Sequence, residues 1–296
     1  MEDRGYDFVR VKARGKINLG LDVIRKRDDG YHEVRMIMQQ VGLYDGIDIK
    51  RLGLCTDGNR YIDIETNLKY LPVNENNLAY KAAALLMDEY GIQESIFIKI
   101  RKLIPVAAGM AGGSADAAAV MKGLNKMFGL GLSTKELMER GVRLGADVPY
   151  CIMGGTALAE GIGDVLTPLK DMPPCYIVLA KPGINVSTKF VYGSLKLDEI
   201  KKHPDIDGLV QDIESQDLEG MSAKLGNVLE EVTEGMHPVI TEIKQKMMKH
   251  GALNAMMSGS GPTVFGIFAE KKKAMKAYNV LKADEKCKQV YITDGG

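Results

Sequence analysis

A chain of 296 residues, 45% apolar and 26% charged, has the composition of a folded protein with a large core, which excludes disordered, collagen-like and coiled-coil classes. Its 39 basic residues balance 39 acidic ones, so no net field holds it on nucleic acid or an anionic membrane, and neither is an expected partner. Cys55, Cys151, Cys175 and Cys287 are too scattered for a zinc site and are expected to be reduced; with no apolar run of ~20 residues and a charged start at 1–12, the expected compartment is the cytoplasm.

In chain order, Ile17, Leu19, Leu21 and Val23 alternate with a period of two and predict a half-buried strand, as do Ile96, Ile98 and Ile100. Between them Leu78, Ala82, Leu85 and Leu86 follow helical spacing behind Asn74, Asn76 and Asn77, which offer N-caps. A second helix is expected near Ser114, with Ala117, Met121, Leu124 and Phe128 on one face, and a third at Ser133, where Glu136 completes a capping box ahead of Leu137 and Leu144. Pro168, Pro173 and Pro174 then break the pattern before a fresh apolar strand at 176–180, so the expected domains are 1–165 and 166–296. Helices over 188–250, two strands flanking 258–262, a Lys-rich helix at 271–281 and a strand at 290–293 complete an α+β pattern.

The segment most suggestive of chemistry lies between a strand and a helix: Pro105, Val106, Ala107, Ala108, Gly109, Met110, Ala111, Gly112, Gly113, Ser114 and Ala115. Free N–H groups and the positive end of the helix dipole favour an anion there, and the glycines let phosphate oxygens approach the backbone. The same turn also serves simply to join strand to helix. No Lys follows the glycines and Ala111 takes the second glycine position, so neither the P-loop nor the dinucleotide-binding fingerprint fits.

The turn and the following Asp116-Ala-Ala-Ala resemble the second motif of the GHMP kinases. Three other stretches match that family in order: Ala-Arg-Gly-Lys-Ile-Asn-Leu at 13–19, Gly-Ala-Asp-Val-Pro at 145–149 and Ser-Gly-Ser-Gly-Pro-Thr at 258–263. Asp-Gly-Tyr-His-Glu at 29–33 resembles a branch of non-mevalonate isoprenoid biosynthesis whose acceptor carries a cytidine diphosphate group. Arg14, Gly15, Met110 and Ala111 depart from the common pattern without removing a proposed catalytic group; Ala111 bears on ATP affinity.

The resemblance implies a two-domain GHMP kinase fold with the active site in the cleft between domains, ATP with Mg²⁺, and phosphorylation of a small-molecule hydroxyl. It implies Asp147 as the group that accepts the hydroxyl proton and Lys16 as the cation that keeps this aspartate ionised and stabilises the transferred phosphoryl. By residue type alone the two are a turn former and a surface charge. Asn18 shares the Lys16 strand face. Tyr31 and His32, expected on a loop after Gly30, offer a ring and a hydrogen-bonding edge for cytosine, with Tyr192 as the other wall of a base sandwich. Thr188, Gly259 and Ser260 complete the implied acceptor site, although 258–263 also fits a plain hairpin. Asn77 and Lys102 stand where relatives contact adenine, and otherwise fit a helix cap and an exposed strand charge. Ser114 and Glu160 are candidate Mg²⁺ contacts, and the protein ligands of the metal and the oligomeric state are open. Two other readings remain: a different GHMP small-molecule kinase, and a nucleotide-binding regulatory protein without chemistry.

Overall fold

The computed structural model describes residues 6–55 and 59–295. Its strands are β1 (Phe8–Lys26), β2 (His32–Gly53), β3 (Ile62–Thr66), β4 (Ser95–Arg101), β5 (Thr156–Glu160), β6 (Val165–Pro168), β7 (Tyr176–Pro182), β8 (Gly226–Asn227), β9 (Asn254–Met257), β10 (Val264–Phe268) and β11 (Cys287–Asp294). The helices are α1 (Leu78–Glu89), α2 (Gly112–Met127), α3 (Thr134–Gly141), α4 (Asp147–Met153), α5 (Thr188–Ser194), α6 (Ile206–Ser215), α7 (Leu218–Ala223), α8 (Glu230–Met236), α9 (Val239–Lys249) and α10 (Lys271–Lys282). They form two compact units that interleave along the chain: Met1–Gly15, Tyr44–Ile104 and Ala111–Met153 make the first, and Lys16–Leu43, Pro105–Met110 and Gly154–Gly296 the second. The long strands β1 and β2 contribute to both.

In the first unit the later part of β2 pairs antiparallel with β4, and β4 pairs parallel with β3. Parallel neighbours need a crossover, and α1 supplies it. Asn77 caps that helix, its Oδ1 accepting from the Ala79 amide at 2.9 Å. Helix α2 packs on α1 and α4, burying Ala117, Met121 and Leu124. It starts at Gly112, two residues before the expected Ser114, because Ala111 turns into the left-handed region (φ 54°) and no side chain caps the end. Ser114 therefore sits inside the first turn. The Ser133–Glu136 capping box opens α3 as expected.

In the second unit the early part of β2 pairs with β5, β5 with β6, and β1 runs parallel to β8 through Gly20 and Leu21. A separate antiparallel sheet has the order β11-β7-β10-β9. Helices α9 and α10 cover it, with Ile240, Ile243, Met247, Ala274, Ala277 and Leu281 facing Val178, Val264, Phe268 and Val290. Burial is stronger than alternation predicts: every residue of β1 from Gly15 to Val23 is buried, so both faces are covered rather than one. That is why Lys16, at 5% exposure, is no surface charge.

Candidate active site

In the second unit several sequence-predicted residues meet in one connected group. Lys16 and Asn18, two apart on β1, point the same way, and the buried Lys16 ammonium donates to Asn18 Oδ1 at 2.9 Å. Asn18 turns its own amide toward the Met36 sulfur at 3.2 Å. The Lys16 backbone amide donates to the Met110 carbonyl at 3.1 Å, which joins β1 to the 105–110 side of the glycine turn. The Ser258 hydroxyl donates to the Gly109 carbonyl at 2.9 Å, which joins the turn to the β9–β10 connection. At Gly259 the Cβ direction meets the Gly109 carbonyl at 3.4 Å and Asn18 Oδ1 at 3.5 Å, so three motifs distant in sequence converge there. Asn227, which sequence reasoning did not single out, holds this connection from β8 by donating to the carbonyls of Met257 (2.9 Å) and Gly259 (2.8 Å).

Helix α5 adds the next pair. Thr188 and Ser260 bring their hydroxyls to 2.8 Å, and Tyr192, one helical turn after Thr188, stands beside His32 with ring centroids 5.1 Å apart at 42°. His32 is the first residue of β2 rather than a loop residue, and it is this ring that neighbours Tyr192; the Tyr31 side chain is exposed. Burial lowers the His32 pKa from its ordinary value, and Lys26 adds to this. A neutral imidazole at pH 7 keeps one donor and one acceptor nitrogen, which suits the edge of a base.

The turn itself carries backbone strain. Ala107 (φ 49°) and Ala111 (φ 54°) both adopt the left-handed conformation, which disfavours a residue with a Cβ. At Ala111 this conformation would suit glycine better, which gives the alanine there a physical cost. Beyond it the amides of Gly112, Gly113 and Ser114 occupy the uncapped first turn of a 16-residue helix, and the Cβ direction at Gly113 finds only Leu78 at 3.5 Å. Such a cradle fits a phosphate.

In the first unit Asp147 opens α4, half-buried, with its carboxylate at the helix N-terminus. Behind it Tyr150 is buried, and burial pushes its phenol well above the ordinary value, with Cys151 and Asp147 adding to the rise. Asn77 is engaged as the α1 cap and also donates to the Pro72 carbonyl at 2.8 Å. Lys102 follows β4 and is buried rather than exposed: its ammonium pairs with Asp45 and with Asp116 at 2.7 Å. Asp116 stood out in the sequence only as part of the motif after the turn and Asp45 not at all; neither was legible as a partner of Lys102, from which they lie 14 and 57 residues away.

Among the described residues no cluster of three or more His, Cys, Asp or Glu side chains forms a metal cage. Of the two candidate contacts, Ser114 lies in the first turn of α2 and Glu160 pairs with Arg35 at 3.3 Å. A cavity of about 950 Å³ in the second unit, between Lys196, Lys202, His203, Lys224 and Val232, contains none of the sequence-predicted residues. No helix among the described residues is long and apolar enough to cross a membrane.

Residues 77–155 match the family described as GHMP kinases N terminal domain, and residues 209–286 match GHMP kinases C terminal. The chain belongs to the GHMP kinases. It is 53% identical to the 4-diphosphocytidyl-2-C-methyl-D-erythritol kinase of Lachnospira eligens, over 97% of this chain and 98% of that one. Identity to the enzyme of the same name from Lachnoclostridium phytofermentans is 55%, over 97% of both chains. Among solved structures, a 4-(cytidine 5'-diphospho)-2C-methyl-D-erythritol kinase superposes with a TM-score of 0.83 at 29% identity, covering 97% of this chain and 100% of that one. Mevalonate kinase of L. major, solved with R-mevalonate, shares the fold, with a TM-score of 0.74 at 17% identity over 100% and 98% of the two chains. The α+β GHMP kinase expectation from the ordered motifs is therefore borne out.

Proposed function

We propose that this GHMP kinase transfers the γ-phosphoryl group of ATP to the 2-hydroxyl of 4-diphosphocytidyl-2-C-methyl-D-erythritol, giving the 2-phosphate and ADP in the cytoplasm as a step of non-mevalonate isoprenoid synthesis. The observation that supports the acceptor is the pairing of Thr188 with Ser260 and of Tyr192 with His32, one turn apart on α5, which sets two neighbouring rings near the 258–263 motif. It is supported by the names of the relatives that match nearly the whole chain.

In this reading Gly112, Gly113 and Ser114 bind phosphate oxygens through their amides. Asn77 and the 105–115 backbone bound the rest of the nucleotide site. Bound with ATP, Mg²⁺ would supply charge that offsets the triphosphate while keeping several waters and taking few protein ligands. Asp147 takes the proton of the acceptor hydroxyl. Lys16, oriented by Asn18, places its cation at the transferred group. His32 bonds the cytosine edge and Tyr192 stacks on its face. Gly259, Ser260 and Thr188 line the acceptor's path, and Tyr31 closes its outer side. The 165/166 division falls in the stretch that separates the two matched family segments, as a boundary in sequence that lies inside the second compact unit.

Initial rates of ADP release with this acceptor, mevalonate and homoserine, at equal enzyme and ATP, test the assignment. Turnover is expected with the cytidine acceptor. Turnover with mevalonate or homoserine and none with the cytidine compound points instead to another small-molecule kinase of the family. A protein that binds ATP but turns over none of them is a nucleotide-binding regulator.

A further inference from the structure

An ammonium group lies between two carboxylates beneath the start of α2. Lys102 (7% exposed) donates to Asp116 Oδ2 at 2.7 Å and to Asp45, which are 4% and 0% exposed. Asp45 also receives the amides of Leu103 (2.5 Å) and Ile104 (2.8 Å). Asn67 fixes the Lys102 backbone from both sides, accepting from its amide at 2.8 Å and donating to its carbonyl at 3.2 Å. At Gly112, the first residue of α2, the Cβ direction meets Ile104 Cγ2 at 3.1 Å and Lys102 Nζ at 3.3 Å. The glycine end of the helix thus rests directly on this group.

Stability is a poor reason for such an arrangement, because packed apolar side chains of similar volume usually serve a core as well as buried ions do. What ions supply is a fixed geometry. The two ends of the set are informative: Asp45 anchors the 102–104 backbone, while Asp116 is the fifth residue of α2, so Lys102 ties the strand end to the helix start. Asp116 Oδ1 is buried without a hydrogen-bond partner. Burial pushes this carboxyl up against the pull of Lys102.

We propose that Asp45, Lys102 and Asp116 form a positioning clamp that fixes the Gly112–Gly113 end of α2 for the nucleotide phosphates. Their side chains act through the helix and not by touching adenine. The inference rests on the nucleotide reading of the 105–115 turn.

Asp116→Ala tests it without stranding a charge, since Lys102 keeps Asp45. Titration with a non-transferable ATP analogue is expected to show affinity weakened about tenfold, with acceptor KM unchanged and kcat at saturating ATP within about threefold. Asp116→Asn retains an acceptor for Lys102 and is expected to restore analogue affinity to within about threefold of wild type. Wild-type affinity in Asp116→Ala, or a loss confined to kcat as fewer folded molecules would give, overturns the clamp. If Asp116→Ala does not fold, Asn67→Ala takes its place: about threefold weaker analogue binding is expected, and unchanged binding overturns the proposal. Failure of the wild-type protein to bind the analogue would instead refute the nucleotide reading itself.

Discussion

Substituting Gly109 with alanine probes the point where the glycine turn meets the 258–263 connection. The backbone there has φ +73°, and a Cβ would stand 2.1 Å from the Ser258 carbonyl oxygen, with the Ser258 carbon at 3.1 Å and the Gly261 nitrogen at 3.2 Å. Backbone cannot rotate away as a side chain can, so the two segments must separate by about 1 Å. Alanine in the left-handed region costs about 1–2 kcal/mol. Separation also breaks the bond from the buried Ser258 hydroxyl to the Gly109 carbonyl, adding about 1–3 kcal/mol. Gly109→Ala is therefore expected to destabilise the second unit by about 2–5 kcal/mol and to lower its calorimetric midpoint by about 5–15 °C. Its KM for ATP should rise as well. Gly113→Ala is the matched control, since its Cβ meets nothing nearer than Leu78 at 3.5 Å. It should leave stability within about 1 kcal/mol while still raising the KM for ATP. A Gly109→Ala protein that melts within a degree of wild type would refute the packing argument.

Asp147→Asn is expected to lower kcat by about 10² to 10⁴ with ATP binding largely kept, measured by steady-state kinetics alongside analogue titration. Tyr192→Ala removes the ring beside His32 and should raise acceptor KM about tenfold with little change in ATP KM, a split that a folding defect does not produce. In the wild-type protein acceptor KM should stay flat above pH 7 and rise only as acid charges His32, below the ordinary histidine range. At Asp48, hydrogen bonds from Arg10 hold the carboxyl down at about 2 against some burial, with Arg101 assisting. A depressed folded-state value means the stabilisation is present above the ordinary carboxylate pKa and lost as pH falls toward 2. Because Arg10 is largely exposed, the effect is about 1–2 kcal/mol, visible as a wild-type minus Asp48→Asn difference in urea midpoints that is constant above pH 5 and shrinks below 4.

Local signals in the sequence located the elements well where spacing alone governs them. The period-two run placed Lys16 and Asn18 on one face of β1, and the asparagines and the Ser133–Glu136 pair marked helix starts. Reading was weaker where several polar residues interrupt a strand: β2, with Arg35, Gln39, Gln40, Asp45 and Asp48 among its apolar residues, gave no clean alternation. The edge strands β3 and β6 are short and largely exposed, so they bear little hydrophobic pattern. Of the site, the motifs were legible as strings, but their convergence was not. That Ser258 bonds Gly109 across 149 residues, or that Asp45 reaches Lys102 across 57, depends on strand pairing that no window of sequence contains. The resemblance brought Tyr192 to residues 31 and 32, but not the fact that its direct neighbour is the ring of His32 while Tyr31 is exposed.

The acceptor hydroxyl is the centre of the account, and phosphorus NMR of the product reads it directly. Carbon 2 of a 2-C-methylerythritol bears no hydrogen, so a phosphate on its oxygen has no proton on the adjoining carbon to couple with. One new phosphomonoester per ADP, unsplit by such a proton, is the predicted result. A doublet or triplet would put the phosphate on a secondary or primary hydroxyl, and inorganic phosphate in place of a monoester would mean hydrolysis; either contradicts the proposed reaction.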